Sequence, residues 1–194
     1  MTTTITALIL AGGRGSRMGY VDKGLQPFDG KPMVAHVIER IGPQADEILI
    51  NANQNTDRYA EFGHRVVPDS IEGFAGPLAG VERGLAEAQG ELLVTAPCDS
   101  PFLPRDLVAR LQAALTAAGA DLAVAKTGDQ LHPVFSLMRR GVLSSLRVFL
   151  ASGGRKIDRW YGELQVVEVA FDDEEDAFRN INTLAELAQY QRPR

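Results

Sequence analysis

Two constellations in the chain have residue types and spacings suited to phosphate chemistry. The first is Leu10-Ala11-Gly12-Gly13-Arg14-Gly15-Ser16-Arg17-Met18-Gly19, with Lys23 close behind. Gly12, Gly13 and Gly15 lack a Cβ, so the backbone there can turn tightly and bring its N–H groups against an oxyanion. Arg14, Arg17 and Lys23 add positive charge to the same rim. Glycine amides backed by cations suit a polyphosphate, and hence a nucleotide. The second constellation is Thr95-Ala96-Pro97-Cys98-Asp99-Ser100-Pro101-Phe102, where Pro97 and Pro101 stiffen the chain on either side of Asp99. A rigid, lone carboxylate opposite a phosphate loop is a seat for Mg²⁺, which keeps several waters and binds one or two carboxylates plus substrate phosphates. The competing role for Asp99 is to cap the helix that follows.

Neither of the commonest nucleotide loops is present. The pattern G-x-G-x-x-G fails because Met18 stands where the third glycine would follow Gly13 and Gly15. The pattern G-x-x-x-x-G-K-[ST] fails because Gly30-Lys31 runs into Pro32 and follows no strand.

Both constellations must be held by regular elements. Ile5–Leu10 is an unbroken apolar run of the kind that forms a buried parallel strand, and it stops in the glycine turn. Further strands are expected at Ile48–Asn51, Arg65–Asp69, Leu92–Ala96, Leu122–Ala125, Val134–Leu137 and Leu164–Val169. Helices are expected at Pro32–Ile41, Pro77–Ala88, Pro104–Ala118, Leu143–Leu150 and Thr183–Gln191, the first two opened by proline at the first helical position. Repeated β–α alternation implies a three-layer α/β/α domain with a mostly parallel, Rossmann-like sheet. Such sheets bind ligands outside the carboxyl ends of their strands, which makes Asn51, Asp69 and Asp99 candidates. For Asn51 and Asp69, chain position alone favours an ordinary turn role.

Composition narrows the class. The 194 residues, 45% hydrophobic and 23% charged, fit one ordinary globular domain spanning 1–194. A net charge of −5 argues against a general nucleic-acid binder, so the N-terminal cations stand out from an acidic background. The single cysteine, Cys98, excludes an internal disulfide and suits a reducing cytoplasm; a buried, inert thiol is expected. Met1-Thr2-Thr3-Thr4 lacks the basic region of a signal peptide, and no apolar run is long enough to cross a membrane. His36 and His64 belong to no metal-ligand spacing. His132, in His132-Pro133-Val134-Phe135, is placed either to contact a second substrate or to sit as a core or turn histidine.

Leu10-Ala11-Gly12-Gly13, Arg17-Met18-Gly19, Lys23 and Asp29-Gly30-Lys31-Pro32 resemble the nucleotidyltransferases that activate a phosphate compound with an NTP. Val21-Asp22-Lys23-Gly24-Leu25, Asn51-Ala52-Asn53, Gly76-Pro77-Leu78-Ala79-Gly80, Pro97-Cys98-Asp99 and Asn180-Ile181-Asn182-Thr183 narrow the resemblance to the molybdenum cofactor guanylyltransferases (MobA type), from about residue 5 to 190. The resemblance implies a nucleotide-diphospho-sugar-transferase-like fold and GTP contacts from Leu10, Ala11, Gly12, Gly13, Lys23, Asn51, Asp69 and Asp99. It also implies Mg²⁺ on Asp99, and Asn180 and Asn182 toward the pterin with Arg155 and Lys156 near them. One departure is visible: Leu184-Ala185-Glu186-Leu187 replaces the family's Pro-Glu-Glu-Leu, which bears on the start of the last helix only.

The implied reaction joins GTP and molybdopterin with release of pyrophosphate. An ionised phosphomonoester needs no general base, so the catalytic roles fall to Arg17 and Lys23, which would neutralise phosphate oxygens, and to Asp99, which would do so through the Mg²⁺ it holds. The rival readings are a molybdopterin cytidylyltransferase, a sugar or isoprenoid-pathway nucleotidyltransferase, and a regulator that binds nucleotide without turnover. The resemblance further implies a cytoplasmic monomer that meets molybdenum insertion proteins or molybdoenzyme chaperones.

Overall fold

The protein is described here from a computed structural model covering residues 3–12, 22–70, 76–179 and 181. Its chain begins with β1 (Ile5–Leu10), a small ribbon of β2 (Pro27–Phe28) and β3 (Lys31–Pro32), α1 (Met33–Ile41), β4 (Glu47–Asn51), α2 (Thr56–Ala60) and β5 (Arg65–Val67). It continues with α3 (Pro77–Glu87), β6 (Leu92–Pro97), α4 (Leu107–Ala118), β7 (Leu122–Thr127), β8 (Gln130–Arg139), α5 (Leu143–Ala151), α6 (Ile157–Tyr161) and β9 (Val166–Ala170). The expected helix at Thr183–Gln191 lies outside the described residues.

Seven strands form one sheet in the order β5-β4-β1-β6-β8-β7-β9. All run the same way except β8, which is antiparallel to both β6 and β7. The three-layer, mostly parallel α/β architecture is as expected, but the simple β–α alternation breaks at β7–β8. Those strands are joined by a hairpin, not a helix. Thr127 pairs with Gln130 across Gly128-Asp129, and Gly128 sits at φ 51, the left-handed value that primed hairpin turns demand. The pairing then slips, so that Ala125 faces His132 while Val124 faces Ser136. Pro133 lies inside this irregularity; it has no N–H for the ladder, and prolines within sheets are confined to such sites.

The core follows from side-chain alternation. On one face Ile5, Ala7, Ile9, Val94, Ala96 and Leu137 pack under α1 and α4; on the other Leu8, Leu49, Leu93 and Val124 pack under α3, α5 and α6. Leu8 and Ile9 are fully buried, so truncating either to alanine would cost about 2–5 kcal/mol. Helix α4 opens at Leu107 with Asp106 in the capping position, so Asp99 is not the cap of that helix.

Candidate functional site

The register of the parallel strands puts the candidate residues in one row. Leu10 pairs with Asn51 on one side and Pro97 on the other, so β4, β1 and β6 end level. The chain just beyond is still tied together: the Ala11 amide donates to the Asn51 carbonyl at 2.8 Å, and the Cys98 amide to the Leu10 carbonyl at 3.1 Å. Ala11-Gly12 therefore leaves the sheet between Asn51 and Asp99.

On the β4–β5 side, polar side chains close a network. The buried Asn51 amide donates from Nδ2 to the Val67 carbonyl (3.0 Å) and to Asp69 Oδ1 (2.8 Å). Asn53 Nδ2 donates to Asp69 Oδ2 at 2.9 Å, and the Asp69 backbone N–H donates to Asn53 Oδ1 at 2.8 Å. Each Asp69 oxygen thus accepts one amide and keeps lone-pair capacity for a further donor. Two glycines let the backbone close in on this network. A Cβ on Gly12 would lie 3.1 Å from both Asn51 Oδ1 and Asn53 Nδ2. A Cβ on Gly80, in the first turns of α3, would lie only 2.3 Å from Asn51 Oδ1. Below it, the buried Glu82 accepts from Ser70 Oγ at 2.5 Å and Arg147 Nε at 2.8 Å, pinning the chain that follows Asp69 to α3 and α5.

At the β6 side stands a Lys–Asp pair. Lys23 Nζ donates to Asp99 Oδ2 at 3.3 Å, and both side chains are largely shielded from solvent. Burial pushes the Asp99 carboxyl above the ordinary aspartate range, and Lys23 offsets part of that rise. Asp99 is therefore a desolvated carboxylate whose charge one lysine compensates only in part, and further positive charge would settle it. The Asp99 carbonyl accepts the Ile181 amide at 3.0 Å, while the Ile181 side chain packs on Phe28, Met33 and Phe102. This contact places Ile181 beside Asp99; Asn180 and Asn182, with Gly13, Arg14, Gly15 and Arg17, lie outside the described residues.

Lys23 is held from both sides. It opens a 3-10 turn, Lys23–Leu25, and the Asp22 carboxylate just before it accepts from the Tyr59 hydroxyl (2.5 Å) and from Asn55 Nδ2 (2.9 Å). Gly24, just after it, lies so close to Tyr59 and Cys98 that a Cβ would come within 2.5 Å of the hydroxyl and 3.1 Å of the sulfur. Burial, with Cys98 and Asp22 alongside, holds the Tyr59 hydroxyl firmly protonated, as a donor to Asp22 must be. Burial likewise pushes the Cys98 thiol far up, in keeping with the inert cysteine expected.

Three neighbours of the row were not among the candidate site residues: Tyr59, and Asn53 and Asp22, which stood only within stretches that carry the resemblance. Asn53 had a usable signal, since residues two apart in extended chain share a side, and Asn51 and Asn53 are so spaced. That Tyr59 meets Asp22 had no such signal, because 37 residues separate them along the chain. Arg155 is turned toward the end of α5, donating to the Leu150 and Gly154 carbonyls, and Lys156 precedes α6. Among the described residues no group of three or more His, Cys, Asp or Glu side chains could hold a metal. No helix among them is long and apolar enough to cross a membrane.

Sheet order, the glycine exit from β1 and the Lys23–Asp99 pair define a nucleotidyltransferase-type domain, and the model of the MobA-like NTP transferase domain matches residues 7–167. The chain is 53% identical to the molybdenum cofactor guanylyltransferase of Ralstonia nicotianae, over 97% of this chain and 96% of that one. It is 50% identical to the enzyme of the same name from Shewanella putrefaciens, over 98% and 97%. Among solved structures it is similar to molybdopterin-guanine dinucleotide biosynthesis protein A from Archaeoglobus fulgidus, with a TM-score of 0.81, 25% identity and coverage of 95% and 96%. A 4-diphosphocytidyl-2C-methyl-D-erythritol synthase from Anaerococcus prevotii shares the fold, with a TM-score of 0.73 at 15% identity over 97% and 96%. The chain belongs to the molybdenum cofactor guanylyltransferases.

Proposed function

We propose that the protein transfers GMP from GTP to the terminal phosphate of molybdopterin, forming the guanine dinucleotide of the cofactor and releasing pyrophosphate. A phosphate oxygen of molybdopterin attacks the α-phosphorus of GTP in line; the bond to the β-phosphate oxygen breaks, and its electron pair leaves with pyrophosphate. The observation that carries this reading is the Lys23–Asp99 pair, held at 3.3 Å beside the exit of β1.

Each residue has a share in the chemistry. The backbone at Leu10, Ala11 and Gly12 would lie against the phosphates, and the same ligand is assigned to Gly13 and Arg17, outside the described residues. Asn51 and Asn53 hold the Asp69 carboxylate so that its remaining lone pairs can accept N–H donors from guanine. Lys23 neutralises charge that builds on phosphate oxygens, and it stands ready without reorganisation because Asp22 and Gly24 fix its backbone. Asp99, buried and only partly compensated by Lys23, suits a hard divalent cation; it would hold Mg²⁺, which would supply positive charge to the phosphates. Asn180 and Asn182 would face the acceptor, beside the Ile181 amide bonded to Asp99.

The decisive experiment is pyrophosphate release with molybdopterin as acceptor and either GTP or CTP as donor, with and without Mg²⁺. Release with GTP that depends on both molybdopterin and Mg²⁺ is expected. Preference for CTP, or nucleotide binding without release, would overturn the reading.

A further inference from the structure

Helix α3 meets the network around Asp69 at two points, one by packing and one by charge. Gly80 lies against Asn51, and two residues further along Glu82 is bonded to Ser70, the residue that follows Asp69.

A carboxylate is unexpected where Glu82 lies. Its neighbours on α3, Leu78, Val81 and Leu85, are buried in the cluster that includes Leu146 of α5, and Glu82 itself is only 5% exposed. Glutamate is almost never so buried unless it is paired. Here Oε1 accepts from Arg147 Nε at 2.8 Å and Oε2 from Ser70 Oγ at 2.5 Å, so both oxygens are engaged. Stability does not explain the arrangement. The Arg147 side chain is 58% exposed, so its attraction is weakened by water, while Glu82 bears the desolvation. Apolar side chains often replace such a pair without loss, and a leucine at position 82 would extend the Leu78–Leu85 surface. What leucine could not do is hold Ser70.

The hold on Ser70 completes the support of Asp69. Asn51 and Asn53, at the end of β4 and just beyond it, bond both carboxylate oxygens and the backbone N–H of Asp69. Strand β5 ends at Val67, so the sheet releases the chain two residues before Asp69. The Ser70–Glu82 bond ties the chain again one residue after it. Asp69 thus sits between a tie to β4 and a tie to α3, and Arg147 reaches in from α5 to orient the carboxylate that makes the second.

We propose that Glu82 is a positioning residue for guanine recognition: through Ser70 it sets the direction of the Asp69 lone pairs, and Arg147 on the surface of α5 aims Glu82 for that task. The inference rests on the reading of Asp69 as acceptor of guanine N–H groups, and adds the residues that set how tightly and selectively it reads the base. Hydrogen bonds weaken steeply as they bend, so a small swing of Asp69 loosens the base. The phosphate contacts lie across the site, and the chemical step is left alone.

The test compares wild type with Glu82→Leu, Ser70→Ala and the double variant, in the full chain, with GTP or ITP as donor and molybdopterin as acceptor. The base of ITP keeps the N1–H and lacks the amino group, so the preference for GTP reports how well Asp69 is aimed. Glu82→Leu should melt at or above the wild-type temperature, yet raise KM for GTP about tenfold, the scale of one hydrogen bond. Its kcat should stay within about twofold and its KM for molybdopterin should not move, the pattern of lost ground-state binding. Calorimetric titration with GTP alone should show the same rise in Kd. The preference for GTP over ITP should fall in parallel. Ser70→Ala should reproduce both effects, and the double variant should be no worse than either single one, because all three break the same tie. Ser70→Ala carries the test alone if Glu82→Leu fails to fold. Unchanged KM for GTP, equal rises for GTP and ITP, or additive losses in the double variant would overturn the proposal. A wild-type protein that uses GTP and ITP alike would instead overturn the reading of Asp69 on which it rests.

Discussion

Replacing Gly80 with alanine sets two physical effects against each other, and the structure decides the sign. Gly80 lies inside α3, where alanine is favoured over glycine by about 1 kcal/mol. The added methyl would, however, sit 2.3 Å from Asn51 Oδ1, 2.8 Å from Asn51 Cγ and 2.9 Å from Leu10 Cδ2. Asn51 cannot simply swing aside, because it is buried and its amide is committed to Val67 and Asp69. Overpacking of this kind costs about 1–3 kcal/mol, and each hydrogen bond given up costs about 0.5–1.5 kcal/mol more. Against the gain in helix propensity, Gly80→Ala should therefore lose about 2 kcal/mol, a fall in Tm of about 4–8 °C for a chain of this size. Because the displaced Asn51 no longer holds Asp69, KM for GTP should rise about tenfold, as loss of about 1.4 kcal/mol of binding implies. Thermal melts and steady-state kinetics read both effects. Gly141→Ala serves as the control, since a Cβ there meets nothing within 4 Å. In the Asn51→Ala background the clash with Asn51 disappears and only the Leu10 contact remains, so the double variant should lose less than the sum of the single losses. A Gly80→Ala protein as stable as wild type with unchanged KM for GTP would refute the close-packing account of this site.

Other expectations follow from the same geometry. Lys23→Ala should lower kcat by about a hundredfold or more, the scale for losing one preorganised group at a developing charge, and an unchanged kcat would remove Lys23 from the chemistry. Asp99→Asn keeps the shape of the side chain but removes the charge; it should cut the rate and flatten its response to Mg²⁺ in a metal titration. Tyr59→Phe deletes one of the two side-chain donors to Asp22 and should cost about 1.5–3 kcal/mol in urea unfolding while lowering kcat more than it raises KM for GTP. Cys98 is buried and its thiol pKa is raised, so at pH 8 it should react with a thiol reagent only as fast as the protein unfolds, and freely in urea.

The parts of the fold legible in the sequence were those driven by local pattern. The buried strands Ile5–Leu10 and Leu92–Pro97 read directly as apolar runs, and α3 announced itself with Gly76-Pro77. The β7–β8 hairpin was missed, because Pro133 interrupts the strand pattern beyond Gly128-Asp129 and hid how far β8 extends. The short helices α2 and α6, of five residues each, were missed too; so short a helix has little propensity of its own and is held by burying Tyr59 and Trp160.

What the sequence determined by itself was the chemistry: glycines after a strand, a lysine and a proline-flanked aspartate are local choices, and they name a phosphate ligand wherever they are placed. What only the tertiary structure decided was which groups meet. Parallel register brings Asn51, Gly12 and Asp99 level across β4, β1 and β6, and crossings of |i−j| = 37 and 76 residues put Tyr59 on Asp22 and Lys23 beside Asp99. Burial then set their states, keeping Tyr59 and Cys98 protonated and raising the Asp99 carboxyl, a rise that Lys23 offsets in part. Desolvation depends on everything packed around a group, and no short stretch of chain contains that information.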